Sequence, residues 1–183
     1  MKLFVWDFHG VLEQDNEKAV IQISNSILKK NGFSERFSED DVDRLYGLKW
    51  YQFFEYLLPK LSLDECKKLQ ADCLQNQKEN WEIIRSIIKP TGHALDVLSQ
   101  IKKAGHQQIV ISNTRPSDIV LFLDAVGIRE YFDNDQIFGV NAHQTHNSKA
   151  EALIGYMKNN NFDQVVCSFS QGNQFSSGYP PVP

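Results

Sequence analysis

Short apolar runs alternate with amphipathic segments along the second half of this 183-residue chain, and this alternation limits the folds that it can adopt. In chain order the patterns are a helix at 93–103, a strand at 108–111, a helix at 117–126, a strand at 136–140, a helix at 148–158 and a strand at 164–167. Strands that alternate with helices form parallel βαβ units. The sequence therefore predicts an α/β protein built on a doubly wound parallel sheet.

The chain opens with another apolar run, at residues 2–6, which ends abruptly at the tetrapeptide DFHG of residues 7–10. A run bounded in this way is typical of a buried strand that opens into a turn. In doubly wound sheets, ligands bind outside the carboxyl ends of the strands. Asp7 and Ser112 both stand at such ends and Lys149 begins a helix nearby, so these three residues are candidates for a functional site.

Residues 13–88 show a different pattern, because no segment among them is convincing as a strand. Residues 17–30 place their apolar side chains on one stripe and stop at Asn31 and Gly32, which is a typical helix end. Ser62 and Glu65 have the spacing of a capping box ahead of a further helix. We therefore expect this part of the chain to be helical.

The net charge of −4 and the shortness of the apolar runs argue against two classes of partner. A chain without a basic footprint is not expected to bind nucleic acid or an anionic membrane surface, and no apolar run approaches the roughly 20 residues of a membrane span. Cys66, Cys73 and Cys167 are interpreted as reduced thiols of a cytoplasmic protein. A local basic pocket for a phosphorylated small molecule is compatible with this composition, and nothing in the sequence indicates an oligomeric state.

A carboxylate at the end of a buried strand, near a hydroxyl group and a lysine, suits phosphoryl transfer. Such a carboxylate can attack phosphorus and form an aspartyl-phosphate, which divides one difficult displacement into two easier ones. The transferred group carries dispersed negative charge, so cations and hydrogen-bond donors must surround it. Lys149 could supply charge, Ser112 could donate a hydrogen bond, and Mg²⁺ could bridge Asp7 and the phosphate.

Three motifs occur in a fixed order along the chain. Four hydrophobic residues followed by DFHGVL resemble the first motif of the haloacid dehalogenase-like hydrolases, hhhhDxDGh[LT]. The segment IVISN resembles their second motif, and NSKAEAL, with Lys149 at a helix start, resembles the third. Residues 89–113 also match the stretch before the second motif in phosphoglycolate phosphatase-like members. Three motifs in order are a far more specific signal than one.

The resemblance implies a Rossmann-like parallel-sheet core at residues 1–13 and 87–183, with an α-helical cap inserted at residues 14–86. Caps of this kind exclude water and select the substrate. Asp7 would be nucleophile and metal ligand, and Ser112 and Asn113 would bind the substrate phosphate. Lys149 would stabilise both phosphate and nucleophile, and the main-chain carbonyl of His9 would be a second ligand of Mg²⁺.

His9 is the first departure from the family pattern. Phosphatases of the family carry a second Asp at this position, which protonates the leaving oxygen and then activates water. Imidazole can move protons near neutral pH, so His9 is a candidate acid and base. A structural role as a hydrogen-bond donor is the alternative interpretation.

The segment after Cys167 is the second departure. The family's fourth motif, of the type GDxxxD, supplies carboxylates for Mg²⁺. An alignment on Gly178 places Ser170 and Gln174 at the positions of its two Asp residues. The last sixteen residues contain no charged side chain. An altered or truncated terminus and a metal-poor pseudoenzyme are both consistent with this, because hard cations prefer charged oxygen ligands.

The sequence predicts a Mg²⁺-dependent phosphatase of small phosphorylated molecules that works through an aspartyl-phosphate on Asp7. The first alternative is a catalytically impaired member that binds a phosphorylated ligand or a protein partner. A weaker alternative is a dehalogenase or phosphonatase, since those members also lack the second Asp.

Three more side chains invite functional interpretations. His143 and His146 form an H-x-x-H pair, but no Cys or carboxylate stands at ligand spacing, so we interpret them as surface histidines. Arg115 is either a contact for an anionic substrate or a surface residue at a helix start.

Overall fold

The computed structural model of the protein describes residues 1–45, 48–139 and 148–168, with only the backbone described at residues 42, 43, 148, 167 and 168. Its strands are β1 (Leu3–Trp6), β2 (Glu13–Gln14), β3 (Lys89–Pro90), β4 (Gln107–Ser112), β5 (Ile137–Gly139) and β6 (Val165–Ser168). Its α-helices are α1 (Asn16–Lys30), α2 (Val42–Leu45), α3 (Trp50–Leu57), α4 (Leu63–Glu79), α5 (Trp81–Ile87), α6 (Ala94–Lys103), α7 (Pro116–Ala125) and α8 (Ser148–Asn160).

Four strands form a parallel sheet in the order β5-β4-β1-β6. The chain winds from β1 outward through β4 to β5, and then returns to place β6 on the other side of β1. The winding direction therefore reverses at β1, which is where doubly wound sheets bind ligands. The predicted α/β class with a Rossmann-like parallel sheet is confirmed.

The two central strands, β1 and β4, carry apolar side chains that are buried or half-buried on both faces of the sheet. On one face, Leu3 and Val5 of β1 pack with Ile109 and Ile111 of β4 and with Tyr156 of α8. On the other face, Val110 joins a larger cluster that includes residues of α6 and α7. Helices thus cover both faces of the sheet, as parallel strands require.

Helices α1–α5 occupy the chain between β2 and β3, as the sequence predicts for this region. Ser62 caps α4, since its hydroxyl accepts the Glu65 N–H and the Glu65 carboxylate accepts the Ser62 N–H. We refer to α1–α5 as the helical insert. Its separation as a cap domain with the boundaries 14–86 stays a prediction.

The expectation that residues 13–88 lack a strand is wrong at one end. Glu13 and Gln14 pair antiparallel with Pro90 and Lys89. A two-stranded ribbon therefore joins the helical insert to the parallel sheet and helices α6–α8, which we call the sheet domain. Strands of two residues are too short to show an alternating pattern, and their pairing depends on a distant partner. The main-chain N–H of Thr91 extends the ribbon by donating to the Leu12 carbonyl at 3.1 Å.

The helical insert and the sheet domain share one apolar core. Phe54, Leu28 and Ile84 of the insert belong to the same buried cluster as Phe8 and Phe122 beside β1 and in α7. Trp81, at the start of α5, places its ring edge-on against Phe122 with the ring centroids 4.9 Å apart. The insert is therefore packed against the part of the sheet domain that follows β1.

Within the described residues, no helix combines the length and the apolar character needed to cross a membrane.

Candidate active site

Asp7 follows β1 directly and lies at the point where the winding of the sheet reverses. The residue is only 4% exposed. Its Oδ1 accepts hydrogen bonds from the Phe8 N–H at 2.8 Å and from Lys149 Nζ at 2.9 Å. No described residue donates a hydrogen bond to its Oδ2. One carboxylate oxygen is thus held in place by two donors.

Lys149 reaches Asp7 because α8 is anchored to the sheet. Two turns after Lys149, Tyr156 packs among the apolar side chains of β1 and β4, and its hydroxyl donates to Gln107 Oε1 at 3.0 Å. Residues seven apart lie on the same face of a helix, so Lys149 also faces the sheet and is 7% exposed. Lys158, near the end of α8, is exposed to solvent and is therefore not part of this buried pair.

Ser112 ends β4 next to the end of β1, as its position in the sequence predicts. The register pairs Trp6 with Val110, so Asp7 and Ser112 lie just beyond this last pair, at the same edge of the sheet. Ser112 is buried, and its Oγ lies 2.9 Å from Thr114 Oγ1 and accepts the Thr114 N–H at 3.2 Å. Thr114 is a component of the site that the sequence analysis missed.

His9 lies between two polar partners, one on each ring nitrogen. Nδ1 is 2.7 Å from Glu13 Oε2, and Nε2 is 2.8 Å from Thr114 Oγ1. A continuous hydrogen-bonded chain therefore runs from Glu13 through His9 and Thr114 to Ser112. Glu13 was also missed by the sequence analysis, because a lone Glu after a short turn carries no signal of burial.

A tight turn folds Glu13 back onto His9. The Phe8 carbonyl accepts the main-chain N–H groups of Val11, Leu12 and Glu13 at 2.9–3.2 Å. Gly10 has a φ of 75°, a conformation that L side chains rarely adopt, and its N–H donates to the Glu13 carbonyl at 2.9 Å. The turn encloses Glu13 so completely that the residue is 0% exposed.

Aromatic rings support the His9 imidazole from the apolar side. The ring centroids of Phe8 and Phe122 lie 5.0 and 5.1 Å from that of His9, both in edge-to-face geometry. This packing restricts the imidazole to few orientations. Only its polar edge faces the hydroxyls that follow β4.

The loop after Ser112 is pressed against β5. A methyl group on Gly139 would lie 2.5 Å from the Pro116 nitrogen and 2.6 Å from the Thr114 carbonyl oxygen. Only glycine allows this approach without a shift of the backbone. β5 therefore fixes the position of the segment that carries Thr114.

The remaining predicted residues are more peripheral or lie outside the described residues. Asn113 is exposed. Arg115 is half-buried and engages the first turn of α7, with Nε donating to Asp118 Oδ2 at 2.8 Å. Five further positions lie outside the described residues, namely His143, His146, Ser170, Gln174 and Gly178.

The part of the chain that the structure describes contains no group of three or more His, Cys, Asp or Glu side chains placed to hold a metal ion. The Asp7 carboxylate nonetheless offers an oxygen ligand of the type that a hard cation prefers. Mg²⁺ is commonly bound by one or two carboxylates together with substrate phosphate and water. In donor chemistry, Asp7 therefore fits Mg²⁺.

The sequence model of the haloacid dehalogenase-like hydrolases matches residues 4–167, which is most of the chain. The protein therefore belongs to the haloacid dehalogenase-like hydrolase family, and the resemblance drawn from its motifs is confirmed. A search of curated protein sequences found no significant match.

Solved structures share the fold at low sequence identity. A haloacid dehalogenase-like family hydrolase from Streptococcus pneumoniae is 14% identical with a TM-score of 0.72, and the match covers 94% of this chain and 77% of the other. A predicted phosphatase from Clostridium acetobutylicum is 15% identical with a TM-score of 0.68, and the match covers 91% of this chain and 74% of the other. A predicted phosphoglycolate phosphatase from Haemophilus somnus is 18% identical with a TM-score of 0.66, and the match covers 86% of this chain and 72% of the other.

Proposed function

We propose that this protein hydrolyses phosphomonoesters of small molecules through a covalent aspartyl-phosphate on Asp7. The observation that carries the proposal is the buried pair of Asp7 and Lys149 at the point where the sheet reverses its winding. A nucleophilic carboxylate must be held in a fixed orientation next to positive charge, because the group it attacks is anionic. The family of the chain and the phosphatases among its structural neighbours support the same chemistry.

In the first step, the Asp7 carboxylate attacks phosphorus and the bond between phosphorus and the ester oxygen breaks. His9 enters this step as the imidazolium and donates its Nε2 proton to the leaving oxygen, so that the alcohol departs neutral and the ring is left neutral. In the second step, His9 accepts a proton from water, which attacks phosphorus, and the bond to Asp7 breaks. Inorganic phosphate is released and the carboxylate is restored.

Lys149 would act in both steps. Its ammonium group would offset the charge of the phosphoryl oxygens while holding the carboxylate in place. Ser112 and Thr114 offer hydroxyls for the same oxygens, and Asn113 offers an amide. Because Ser112 and Thr114 bond to each other in the structure, a bound phosphate would have to replace that contact.

Mg²⁺ is part of the proposal. Asp7, through the oxygen that Lys149 does not occupy, and the His9 main-chain carbonyl would hold the ion. When bound, it would offset the negative charge that gathers on the transferred phosphoryl group. Because Asp7 is the only carboxylate proposed to bind the ion, we expect weak binding that depends on the phosphate.

The helical insert would select the substrate. It is joined to the sheet domain by the ribbon that contains Glu13, and its Trp81 contacts Phe122 beside His9. A lid attached at this point could close over a small phosphorylated molecule and exclude water. The substrate class is therefore proposed as small phosphorylated metabolites, with no role for nucleic acid or membrane.

The test is Asp7→Asn, assayed with p-nitrophenyl phosphate and Mg²⁺. The variant should keep the circular dichroism spectrum and lose turnover, and acid-quenched wild-type protein should carry a phosphoryl group on the peptide that contains Asp7. Unchanged hydrolysis by Asp7→Asn would refute the proposal.

A non-catalytic phosphate-binding protein is the second candidate. It is favoured by His9 in place of a second carboxylate. It is also favoured because the described residues contain no group of three or more His, Cys, Asp or Glu side chains placed to hold a metal ion. Calorimetry with inorganic phosphate distinguishes the two. Binding without any hydrolysis by the wild-type chain supports the second candidate, and Mg²⁺-stimulated hydrolysis excludes it.

A further inference from the structure

Glu13 is a fully buried carboxylate whose only described side-chain partner is a histidine. Its Oε2 lies 2.7 Å from His9 Nδ1, and its Oε1 has no hydrogen-bond partner among the described residues. A buried carboxylate that forms so few hydrogen bonds is costly to the fold. Such a group is more easily explained by its effect on His9 than by a contribution to stability.

We propose that Glu13 is a positioning residue, which fixes the His9 ring with Nδ1 on the buried carboxylate and Nε2 toward the hydroxyls of Ser112 and Thr114. The proposal rests on the function proposed above, in which His9 transfers the proton. It assigns to Glu13 a role that neither the family pattern nor the sequence motifs indicate.

The backbone around Glu13 makes it a rigid support. Its N–H donates to the Phe8 carbonyl at 3.2 Å, its carbonyl accepts from Gly10, and the residue pairs with Pro90 in the ribbon. The backbone that carries the carboxylate is therefore held at three points. Phe8 and Phe122 restrict the ring of His9 from its apolar side.

The carboxylate also decides which ring nitrogen can react. A carboxylate oxygen accepts hydrogen bonds and does not donate them, so Nδ1 must carry a hydrogen. In the neutral ring, Nε2 is then the acceptor, and it lies 2.8 Å from Thr114 Oγ1 at the mouth of the site. A carboxylate behind a histidine holds the tautomer and stabilises the cation that forms when the outer nitrogen takes up a proton. Glu13 is placed to do both for His9.

A leaving-group comparison tests this role. p-Nitrophenolate departs with little need for a proton, whereas the alkoxide of an alkyl phosphate such as ethyl phosphate needs one. Glu13→Gln keeps the size of the side chain but not its charge. We expect it to lower kcat/KM for ethyl phosphate by roughly 10- to 100-fold more than kcat/KM for p-nitrophenyl phosphate, as for the loss of general acid catalysis. We compare kcat/KM because it covers only the steps up to departure of the alcohol, whereas kcat also includes hydrolysis of the aspartyl-phosphate, which is common to both substrates.

Two further variants complete the comparison. In a His9→Gln background, Glu13→Gln should cause no additional change in the ratio of the two rates, because the residues act as one unit. Ser24→Ala is the matched control, since it removes a buried hydroxyl that accepts a hydrogen bond from Trp50 Nε1 at 2.7 Å, away from His9. It should leave the ratio unchanged. An equal loss of kcat/KM for both substrates in Glu13→Gln would show a merely structural role and overturn the proposal.

A measurement independent of turnover separates this proposal from the proposed function. ¹⁵N NMR of the imidazoles should show neutral His9 with its hydrogen on Nδ1 in the wild type and a shift toward Nε2 in Glu13→Gln. If the wild-type ring already carries the hydrogen on Nε2, the proposal is wrong. If Asp7→Asn retains activity while the NMR result is as expected, the function fails but the positioning of His9 by Glu13 stands.

Discussion

Lys149 Nζ lies 2.9 Å from Asp7 Oδ1, and both side chains are more than nine-tenths buried. The two residues are far apart in the sequence, and the reversal of the sheet at β1 brings them together. An ion pair in such surroundings is sensitive to the loss of either partner, because the remaining charge is left without compensation. This relationship leads to the first prediction.

Lys149→Met should lower the free energy of unfolding by about 3–5 kcal/mol and abolish turnover, since it leaves the Asp7 carboxylate buried and unpaired. The double variant Asp7→Asn with Lys149→Met removes both charges and should recover much of the stability without recovering activity. Urea unfolding and a phosphatase assay measure the two effects.

Lys158→Met is the matched control, because Lys158 lies on the same helix and is exposed. Its stability should stay within about 0.5 kcal/mol of the wild type. A loss of stability in Lys158→Met as large as in Lys149→Met would contradict the importance of the buried pair.

Gly139 and Gly155 give the second prediction. Gly139→Ala should cost about 1–3 kcal/mol, because its methyl group would overlap the backbone at Thr114 and Pro116 and displace the loop beside His9. Gly155, within α8, has no atom within 4 Å of an added methyl group. Gly155→Ala should therefore stabilise the protein by about 0.5–1 kcal/mol through helix propensity.

Thermal unfolding and activity assays of the two variants check this pair. Gly139→Ala should also reduce turnover, because the loop that it displaces carries a partner of His9. Equal stability of the two variants would mean that the approach of β5 to this loop is not tight.

The elements of the sheet domain could be predicted because their signals are local. The β-branched run before Ser112 forms β4. The helix predicted at 148–158 begins at Ser148, as α8 does. Predicted helix ends were off by one or two residues where capping decided the boundary. Pro116 begins α7 one residue before the predicted start, since proline suits the first turn of a helix.

The candidate site was predictable where a residue stands at the end of a strand or the start of a helix. Asp7, Ser112 and Lys149 were identified in this way. Glu13 and Thr114 were not, because their importance arises from a turn and from a loop packed on Gly139. The pairing of Glu13 with Pro90 joins segments far apart in sequence, so no local sequence pattern predicts it.

The cysteines of the helical insert give the third prediction. Burial raises the pKa of the Cys73 thiol to about 12, and burial also raises that of Cys66. A thiol reacts as its thiolate, so both should resist a disulfide reagent at pH 8 in the folded protein. Peptide mapping after labelling, with and without denaturant, identifies the protected residues. Rapid native labelling of Cys73 would contradict the packing of α4 against α1.

Glu17, in the first turn of α1, gives the last prediction. Burial raises the pKa of its carboxyl, and the nearby charge of Glu13 adds to the effect. The folded chain therefore binds more protons than the unfolded chain between the two pKa values, and stability falls as the pH rises through this range. Glu17→Gln removes the titration, so the variant should have the higher Tm near pH 7. Below the unfolded pKa of Glu17, this advantage should vanish.

Glu35 provides the opposite case for the same measurement. Its pKa is lowered, mainly by hydrogen bonds from its own N–H and from the Ser34 hydroxyl. The stabilisation from this carboxylate is present above the unfolded pKa and is lost as the pH falls through the folded pKa. Glu35→Gln should therefore lower Tm near pH 7, by a small amount because the side chain is exposed, and should match the wild type in acid. A lower Tm for Glu17→Gln than for the wild type at pH 7 would contradict the raised pKa of Glu17, and a higher Tm for Glu35→Gln would contradict the lowered pKa of Glu35.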